Sequence, residues 1–272
     1  TQMRINTNLN AMIATNQMSK NTALAGSSME KLSTGLRITK AGDDAAGLAV
    51  SEKMRAQIRG MEQAERNVQD GISMVQTAEG ALEEAGNIAQ RMRELGVQAG
   101  NDTLSEEDRT KVKAELTQLQ DEMSKIATET KFNGKQLLNA VGTFTIQAGA
   151  NSETRTVSTA NLASIANDLS LKSTNISSST QAQSFVTKVD TALSSINDAR
   201  SALGAMQNRL EYTANNLTTS TENLTAAESR IRDVDVAKEM VTLSKLNILN
   251  QASQAMVSQA KQQPESVSQL LR

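Results

Sequence analysis

The hydrophobic pattern of the chain is most regular between residues 185 and 231. Large aliphatic residues recur there every seven positions, and the companion positions hold mostly small residues. The aliphatic series is Val189, Ile196, Leu203, Leu210, Leu217, Leu224 and Ile231. A seven-residue repeat is typical of a coiled-coil helix, and a helix of this extent is on the order of 70 Å long. We predict a long return helix over residues 181–232.

Two further helical patterns lie within residues 45–130. The first repeats in sevens with small companion positions, which allow close packing of two backbones, and consists of Met61, Val68, Val75, Leu82 and Ala89. The second begins after Ser105, where Asp108 completes an S-x-x-D capping box. Its apolar stripe has the spacing of one helix face and contains Val112, Leu116, Leu119, Met123 and Ile126.

The pattern changes over residues 131–180. The sequence FNGKQ is a turn signal, and TFTIQ and TRTVS alternate with period two on either side of GANSE. We predict a small β-hairpin region there. Residues 158–184 are rich in Ser, Thr, Asn and Ala, so we expect a connector with at most one more short strand or turn.

The two ends of the chain resemble each other in pattern. Residues 5–36 and 236–260 are amphipathic, and their polar faces are rich in Asn, Gln and Ser. The apolar positions that we assign to assembly are Ile5, Leu9, Met12, Ile13, Leu243, Leu246, Leu249 and Met256. The end helices can pair, but a lone pair of this polarity is marginal in water, so these faces need further neighbours.

Composition narrows the fold class to mainly α, a long antiparallel helical bundle with a small hairpin region. Only 1% of the 272 residues are aromatic and only one is Pro, so helices run almost uninterrupted and pack through aliphatic residues. The net charge is −2 without a Lys/Arg block, which argues against nucleic acid. We expect no membrane span and no cleaved signal peptide.

Asp43 and Asp44 are the first candidates for chemistry, because paired acids can form a catalytic dyad or a metal site. They lie between Gly42 and the helix-forming run AAGLAVSEKM. A dyad needs a cleft and a second proton-transferring group, usually His, and the chain has no His. Asp is a preferred N-cap, so we interpret the pair as a helix cap and turn.

A second charged cluster contains Arg230, Arg232, Asp233 and Asp235. A calcium loop would need a central Gly and a Glu at its twelfth position, and neither is present. We therefore predict charge pairing at a helix junction. Because the sequence also lacks Cys and the common nucleotide-binding and hydrolase motifs, we expect no metal, no cofactor and no enzyme, with a hydrolase as a disfavoured alternative.

Several stretches closely resemble bacterial flagellins. They include MRINTNLNAM, MEKLSTGLRITKAGDDAAGLAVSEKM, VQDGISMVQTAEGAL, FNGKQLL, NNLTTSTENLTAAESRIRDVDVAKEM and ILNQASQAM, and they cover both chain ends and most of the long helices. The resemblance implies a subunit that polymerises into an extracellular filament for swimming, with a hook–filament junction protein as the alternative. It also implies export through the flagellar type III apparatus, and an export chaperone, a filament cap and hook-associated proteins as partners.

On this resemblance, residues 1–44 and 233–272 form the inner filament core and residues 45–130 and 181–232 a surrounding helical domain, while the large outer domains of many flagellins are missing. The family also has a segment that toll-like receptor 5 recognises. The positions that match it are Arg91, Leu95 and Glu115. Met92 and Gly96 depart from the commonest family residues in this segment.

Overall fold

The structure, a computed structural model, describes residues 7–170 and 175–271 and divides into two compact units. Unit 1 consists of residues 1–56 and 223–272, and unit 2 of residues 57–222. Two long helices, α2 (Ala45–Ala99) and α5 (Ser179–Arg232), contribute to both units. The unit boundaries therefore lie inside these helices, whereas we predicted segments that begin at residues 45, 131, 181 and 233.

Unit 1 is built mainly from the terminal helices α1 (Leu9–Thr34) and α6 (Val236–Leu270), which pack against each other. The side chain of Asn8 caps α1 by accepting a hydrogen bond from the Ala11 amide, and Gly35 ends the helix in the left-handed conformation with φ 71°. Asp235 caps α6 through the Lys238 amide. The predicted amphipathic end segments thus form helices over most of their length.

Unit 2 combines the remaining parts of α2 and α5 with α3 (Glu106–Glu129), a short helix α4 (Leu162–Asp168) and two hairpins. Ser105 and Asp108 form the predicted capping box at the start of α3. The first hairpin pairs β1 (Lys131–Phe132) with β2 (Lys135–Gln136), and the second pairs β3 (Thr143–Gln147) with β4 (Thr154–Ser158). The predicted hairpin region is confirmed.

The tight turn of the first hairpin requires left-handed backbone at two successive residues. Asn133 has φ 52° and Gly134 has φ 77°, which is the pattern of a two-residue hairpin loop with an Asn-Gly sequence. The turn leads the chain directly into the core of unit 2, where Leu137 and Leu138 are buried.

The connector prediction for residues 158–184 needs a correction. Where we allowed a short strand or turn, the chain forms α4, whose N-cap Asn161 accepts a hydrogen bond from the Ser164 amide at 3.0 Å. Leu162, Ala166 and Leu169 are fully buried and have helical spacing. Three apolar positions are too few to stand out in a Ser- and Asn-rich segment. Residues 171–174 of the same connector lie outside the described residues.

Candidate functional site: the outward face of the terminal helices

Exposed aliphatic side chains are concentrated on α1 and α6. Of the 17 large hydrophobic residues that are exposed in the described chain, five lie on α1 and seven on α6. These are Leu9, Met12, Ile13, Leu24 and Met29 on α1, and Val236, Met240, Val241, Ile248, Leu249, Met256 and Leu270 on α6. Residues of Met240–Leu249 also line an apolar surface groove of about 460 Å³.

The predicted assembly residues divide into an outward set and an inward set. Leu9, Met12, Ile13, Leu249 and Met256 are exposed, whereas Leu243 is partly buried and Leu246 is buried. Ile5 lies outside the described residues. Within unit 1, the buried apolar residues are only Ile38 and Leu246 among those that the structure describes. The aliphatic residues of the terminal helices are therefore left largely uncovered by one copy of the chain.

The two acids of GDDAAG have separate structural roles. The Asp44 carboxylate caps α2 by accepting a hydrogen bond from the Gly47 amide at 2.9 Å. The Asp43 carboxylate closes the preceding turn by accepting hydrogen bonds from the Thr39 amide, the Thr39 hydroxyl and the Lys40 amide. These bonds, the Thr39 amide first, lower the pKa of Asp43. Asp44 thus caps a helix, and Asp43 closes the turn before it.

Gly47 is required where α2 begins because of the same cap. A Cβ at this position would lie 2.8 Å from the Ile38 Cδ1 atom and would also collide with the Asp44 carboxylate. The sequence DDAAG therefore combines a capping acid with a residue small enough to lie beneath it.

The C-terminal junction uses its charges differently from the pairing that we predicted. Arg232 is buried, donates from Nε to the Ile38 carbonyl at 3.0 Å, and forms an ion pair with Glu52. Asp233 accepts a hydrogen bond from the Ser229 hydroxyl, and Asp235 caps α6. Arg230 is exposed in the last turn of α5. Arg232 thus pairs with α2, and its neighbouring acids serve local turns and caps.

Sequence reasoning missed the other half of this junction. Glu228 is 8% exposed, and its Oε1 atom accepts hydrogen bonds from the Ser51 hydroxyl at 3.0 Å and from Arg55 Nε at 2.8 Å. Arg37 donates to the Ile231 carbonyl. These partners are more than 170 positions apart in the sequence, and an isolated Glu or Arg on a long helix gives no signal of its partner.

The heptad series of α5 lies mostly in the core. Val189, Ile196, Leu203, Leu210 and Leu217 are buried in unit 2, whereas Leu224, in unit 1, is partly buried. Opposite them, glycine and alanine of α2 leave room for close packing: Gly71 lies against Leu210 and Ile146. The helices are also linked by ion pairs, including Arg200 with Glu79 at 2.8 Å.

The three residues matched to receptor recognition have different exposures. Arg91 is exposed and pairs with Glu94 and Glu115, each at 3.1 Å, and these hydrogen bonds, Glu94 first, raise the pKa of Arg91. Leu95 is only 2% exposed. The side chain of Leu95 therefore lies in the core of unit 2, beneath the exposed pair.

The described residues offer no arrangement suited to metal or membrane chemistry. Across residues 7–170 and 175–271, no three acids, His or Cys are grouped to hold a metal ion. In the same ranges, no helix is long and apolar enough to cross a membrane. A helical core in one unit and uncovered aliphatic faces on two terminal helices define the class of structural proteins that assemble through their ends.

Comparison with known proteins identifies the family. The family model for the bacterial flagellin N-terminal helical region matches residues 5–143, and that for the C-terminal helical region matches residues 186–271. A flagellin of Halalkalibacterium halodurans is 54% identical over 99% of this chain and 100% of its own length. The chain belongs to the bacterial flagellin family.

Solved structures agree with this assignment. The crystal structure of Bacillus cereus flagellin is 34% identical, covers 60% of this chain and 94% of that protein, and has a TM-score of 0.51. A protein from Vibrio parahaemolyticus, assigned as a flagellar hook-associated protein, has a TM-score of 0.59 over 70% of this chain and all of its own. Its 12% identity shows a shared fold and nothing further.

Proposed function

We propose that this chain is the structural subunit of a bacterial flagellar filament, and that α1 and α6 hold the filament together. The supporting observation is the concentration of twelve exposed large aliphatic residues on these two helices. Monomeric soluble proteins rarely expose apolar surface so densely, and surfaces of this kind mark protein–protein contacts.

The physics of assembly follows from where these residues lie. Burying a large aliphatic side chain contributes roughly 1.5–3 kcal/mol, so even partial burial of the outward faces stabilises a contact between copies. A face that meets a different face on the next copy produces an open helical polymer instead of a closed ring. The aliphatic faces of the terminal helices are therefore covered only in the polymer.

The alternative function, a hook–filament junction protein, has weaker support. The hook-associated likeness is one of fold at 12% identity, whereas the flagellin relative is 54% identical over its full length. The short connection between α3 and α5, with two small hairpins and α4, also leaves no room for the large middle domain that we expect of a junction protein.

Location and partners belong to the same proposal. We infer an extracellular filament whose subunits leave the cell unfolded through the flagellar type III apparatus, in contact with an export chaperone, the filament cap and hook-associated proteins. The absence of Cys and the single Pro suit this route, because neither disulfide formation nor slow proline isomerisation delays refolding. We also infer that the chain is not an enzyme.

Recognition by toll-like receptor 5 is proposed for the exposed pair Arg91 and Glu115. Both side chains are about half exposed and lie together on neighbouring helices, as a charged epitope requires. Leu95 would support this epitope from the core. An Arg91→Ala variant should bind the receptor more weakly than wild type while keeping the same thermal transition, and unchanged binding would rule out the epitope.

Charged substitutions on the outward face test the filament proposal. Ile13→Asp and Ile248→Asp place a carboxylate at positions that are 66% and 65% exposed, so each should leave the monomer folded but block polymerisation. Val141→Asp is the matched control, since Val141 is 74% exposed but lies in unit 2. Sedimentation and electron microscopy should find filaments for the control only. Normal filaments from both α1 and α6 variants would overturn the proposal.

A further inference from the structure

The face of α1 that packs against α6 consists of small and polar residues. Positions that are buried or partly buried recur at alternating spacings of three and four residues, which is the spacing of a coiled-coil seam. The seam positions are Ala11, Ala14, Met18, Asn21, Ala25, Ser28 and Leu32. Asn21 and Ser28, each 3% exposed, are the two fully buried residues of α1.

The seam of α6 has the same spacing but combines small and polar residues with Leu243, Leu246, Val257 and Val267. Its positions are Glu239, Leu243, Leu246, Asn250, Ser253, Val257, Ala260, Pro264 and Val267, and every other residue of α6 is exposed. The Asn250 Oδ1 atom is buried within this seam without a hydrogen-bond partner among the described residues, so it does not distinguish one register from another. Small and polar residues therefore occupy most of the seam positions within one copy, while most large aliphatic residues of the two helices are exposed.

One end of the pair is held by the single proline of the chain. Pro264 lies inside α6 and has no amide hydrogen, so the Ala260 carbonyl four residues earlier lacks its usual helical donor. Asn8 Nδ2 donates to this carbonyl at 2.8 Å, while Oδ1 of the same amide caps α1. The Asn8 side chain that caps α1 thus donates to the Ala260 carbonyl of α6, which Pro264 leaves without a helical donor.

The opposite end is held by a second polar contact. The Ser28 hydroxyl donates to the Glu239 carboxylate. Asn8 and Ser28 are 20 positions apart on α1, and their partners Ala260 and Glu239 are 21 positions apart on α6. One antiparallel alignment therefore satisfies both contacts.

We propose that these two contacts fix α1 and α6 in a single antiparallel register. Apolar seams tolerate slippage by a heptad, whereas a slipped polar seam leaves buried donors and acceptors unpaired. The register decides which residues face outward, so it sets the surface that the next copy meets. The contacts lie within one copy, so this inference does not depend on polymerisation.

Engineered cysteines can report the register, because the chain contains no Cys. Ala14→Cys with Ser253→Cys reports the observed register, since the antiparallel alignment of Asn8 with Ala260 and of Ser28 with Glu239 places Ala14 opposite Ser253. Ala14→Cys with Ala260→Cys reports a slip of about one heptad. In the observed register Asn8 lies opposite Ala260, and Ala14 lies about 9 Å further along the axis of α1. Ala14 and Ala260 are therefore too far apart for a disulfide, which requires Cα atoms within about 7 Å of each other.

In the full-length chain, oxidation should give an intramolecular cross-link for the first pair and almost none for the second. Asn8→Asp with Ser28→Ala keeps the cap acceptor of α1 but removes both contacts, and should raise the slipped product about tenfold relative to wild type. Asn16→Asp with Ser19→Ala, at exposed positions of the same helix, is the matched control and should change neither product.

The Pro264→Ala variant distinguishes an effect of the polar contacts on the register from an effect on the stability of α6. It returns an amide donor to Ala260, so α6 should gain helicity by circular dichroism while the slipped product rises. If the polar contacts only stabilised the helices, the yield of the slipped cross-link would fall as the helicity of α6 rose. A slipped product in wild type equal to the in-register product, or an unchanged ratio in both the Asn8→Asp, Ser28→Ala variant and Pro264→Ala, would overturn the proposal.

Discussion

Unit 1 and unit 2 bury opposite kinds of residue, although the same two long helices contribute to both. Unit 2 encloses a continuous cluster of 34 buried apolar residues, whereas the described part of unit 1 buries Ile38 and Leu246. Unit 1 instead buries Asn21, Ser28, Ser51, Glu228 and Arg232. One unit is thus stabilised by its own hydrophobic core, and the other is assembled from polar contacts with its aliphatic residues outside.

This difference shows that a long helix of this chain need not contribute to a hydrophobic core. The repeats of α2 and α5 fill the interior of unit 2 with Leu, Val, Ile and Ala. The seams of α1 and α6 contain mostly Ala, Ser, Asn and other small or polar residues, and their few aliphatic residues bury less apolar surface than the core of unit 2. Unit 2 should therefore fold as a stable monomer, while unit 1 gains most of its stability from neighbours.

The largest expected effect comes from removing one terminal helix. Deleting residues 1–40 or residues 236–272 should abolish polymerisation completely and leave a soluble helical monomer, because unit 2 retains its core. Analytical ultracentrifugation should find a single small species, with a helical circular dichroism spectrum and a cooperative melt. If either truncated chain formed filaments that pellet, the terminal helices of unit 1 would not be required for contacts between subunits, and the proposed difference between the two units would be wrong.

The next largest effect should come from a charge placed in the core of unit 2. Leu210 is fully buried, so Leu210→Asp should lower the free energy of unfolding by about 3–5 kcal/mol, measured by urea denaturation of the monomer. Tyr212→Asp is the matched control on the same helix, since Tyr212 is 75% exposed, and should change stability by less than about 0.5 kcal/mol. Equal effects would show that the heptad register of α5 is wrong.

An intermediate effect is expected from two glycines of α2, which test how closely this helix packs against its neighbours in unit 2. A Cβ at Gly71 would collide with Ile146 and approach Leu210 Cδ1 at 3.5 Å, so Gly71→Ala should destabilise unit 2 by about 1–3 kcal/mol. Gly80 has no neighbour within 4 Å of such a Cβ, so Gly80→Ala should stabilise the helix by about 0.5–1 kcal/mol. Thermal melts that shift in the same direction for both variants would contradict close packing at Gly71.

The smallest effect is a pH dependence at the junction of unit 1. Hydrogen bonds from Thr39 and Lys40 lower the pKa of Asp43, so its carboxylate stabilises the fold at neutral pH. This contribution should be lost as the pH falls below about 4, the usual value for Asp, and through the lowered value in the folded chain. Denaturation of Asp43→Asn should show reduced stability at pH 7 and a smaller difference from wild type at pH 3.

The control for this pH dependence is Asp70→Asn, which changes an exposed carboxylate of α2. The difference in stability between Asp43→Asn and this control should be larger at pH 7 than at pH 3. An equal difference at the two pH values would mean that the turn does not depend on the ionised Asp43 carboxylate.

Local sequence signals were sufficient for most elements of the fold. Seven aliphatic residues in a seven-residue repeat predicted α5, the S-x-x-D motif predicted the start of α3, and FNGKQ predicted the first hairpin turn. Each of these signals is carried by residues close in sequence, where helical or turn geometry alone determines the contact. Helix α4 escaped prediction because its apolar residues are few and its flanks are polar.

Long-range polar contacts could not be predicted. Arg232 donates to the Ile38 carbonyl and pairs with Glu52, and Glu228 accepts hydrogen bonds from Ser51 and Arg55 of α2. Arg109 likewise donates to carbonyls of two separate segments, those of Ala99 and Asn101 and that of Ser177. Charged residues are frequent on every helix, so composition does not indicate which of them become buried. The seam of α1 was likewise obscured, because the large aliphatic residues that dominate its pattern lie on the outward face.

The hydrogen bond between Thr218 and Glu65 has a consequence for the order of folding. This bond is 2.8 Å long and joins residues that are 153 positions apart in the sequence. Closing a loop of that length has an entropic free-energy cost of roughly 4–5 kcal/mol. Once unit 2 has folded, that loss has already occurred. The terminal segments then search for each other from two tethered points, so the local concentration of α6 around α1 of the same copy exceeds that of α6 from other molecules in dilute solution.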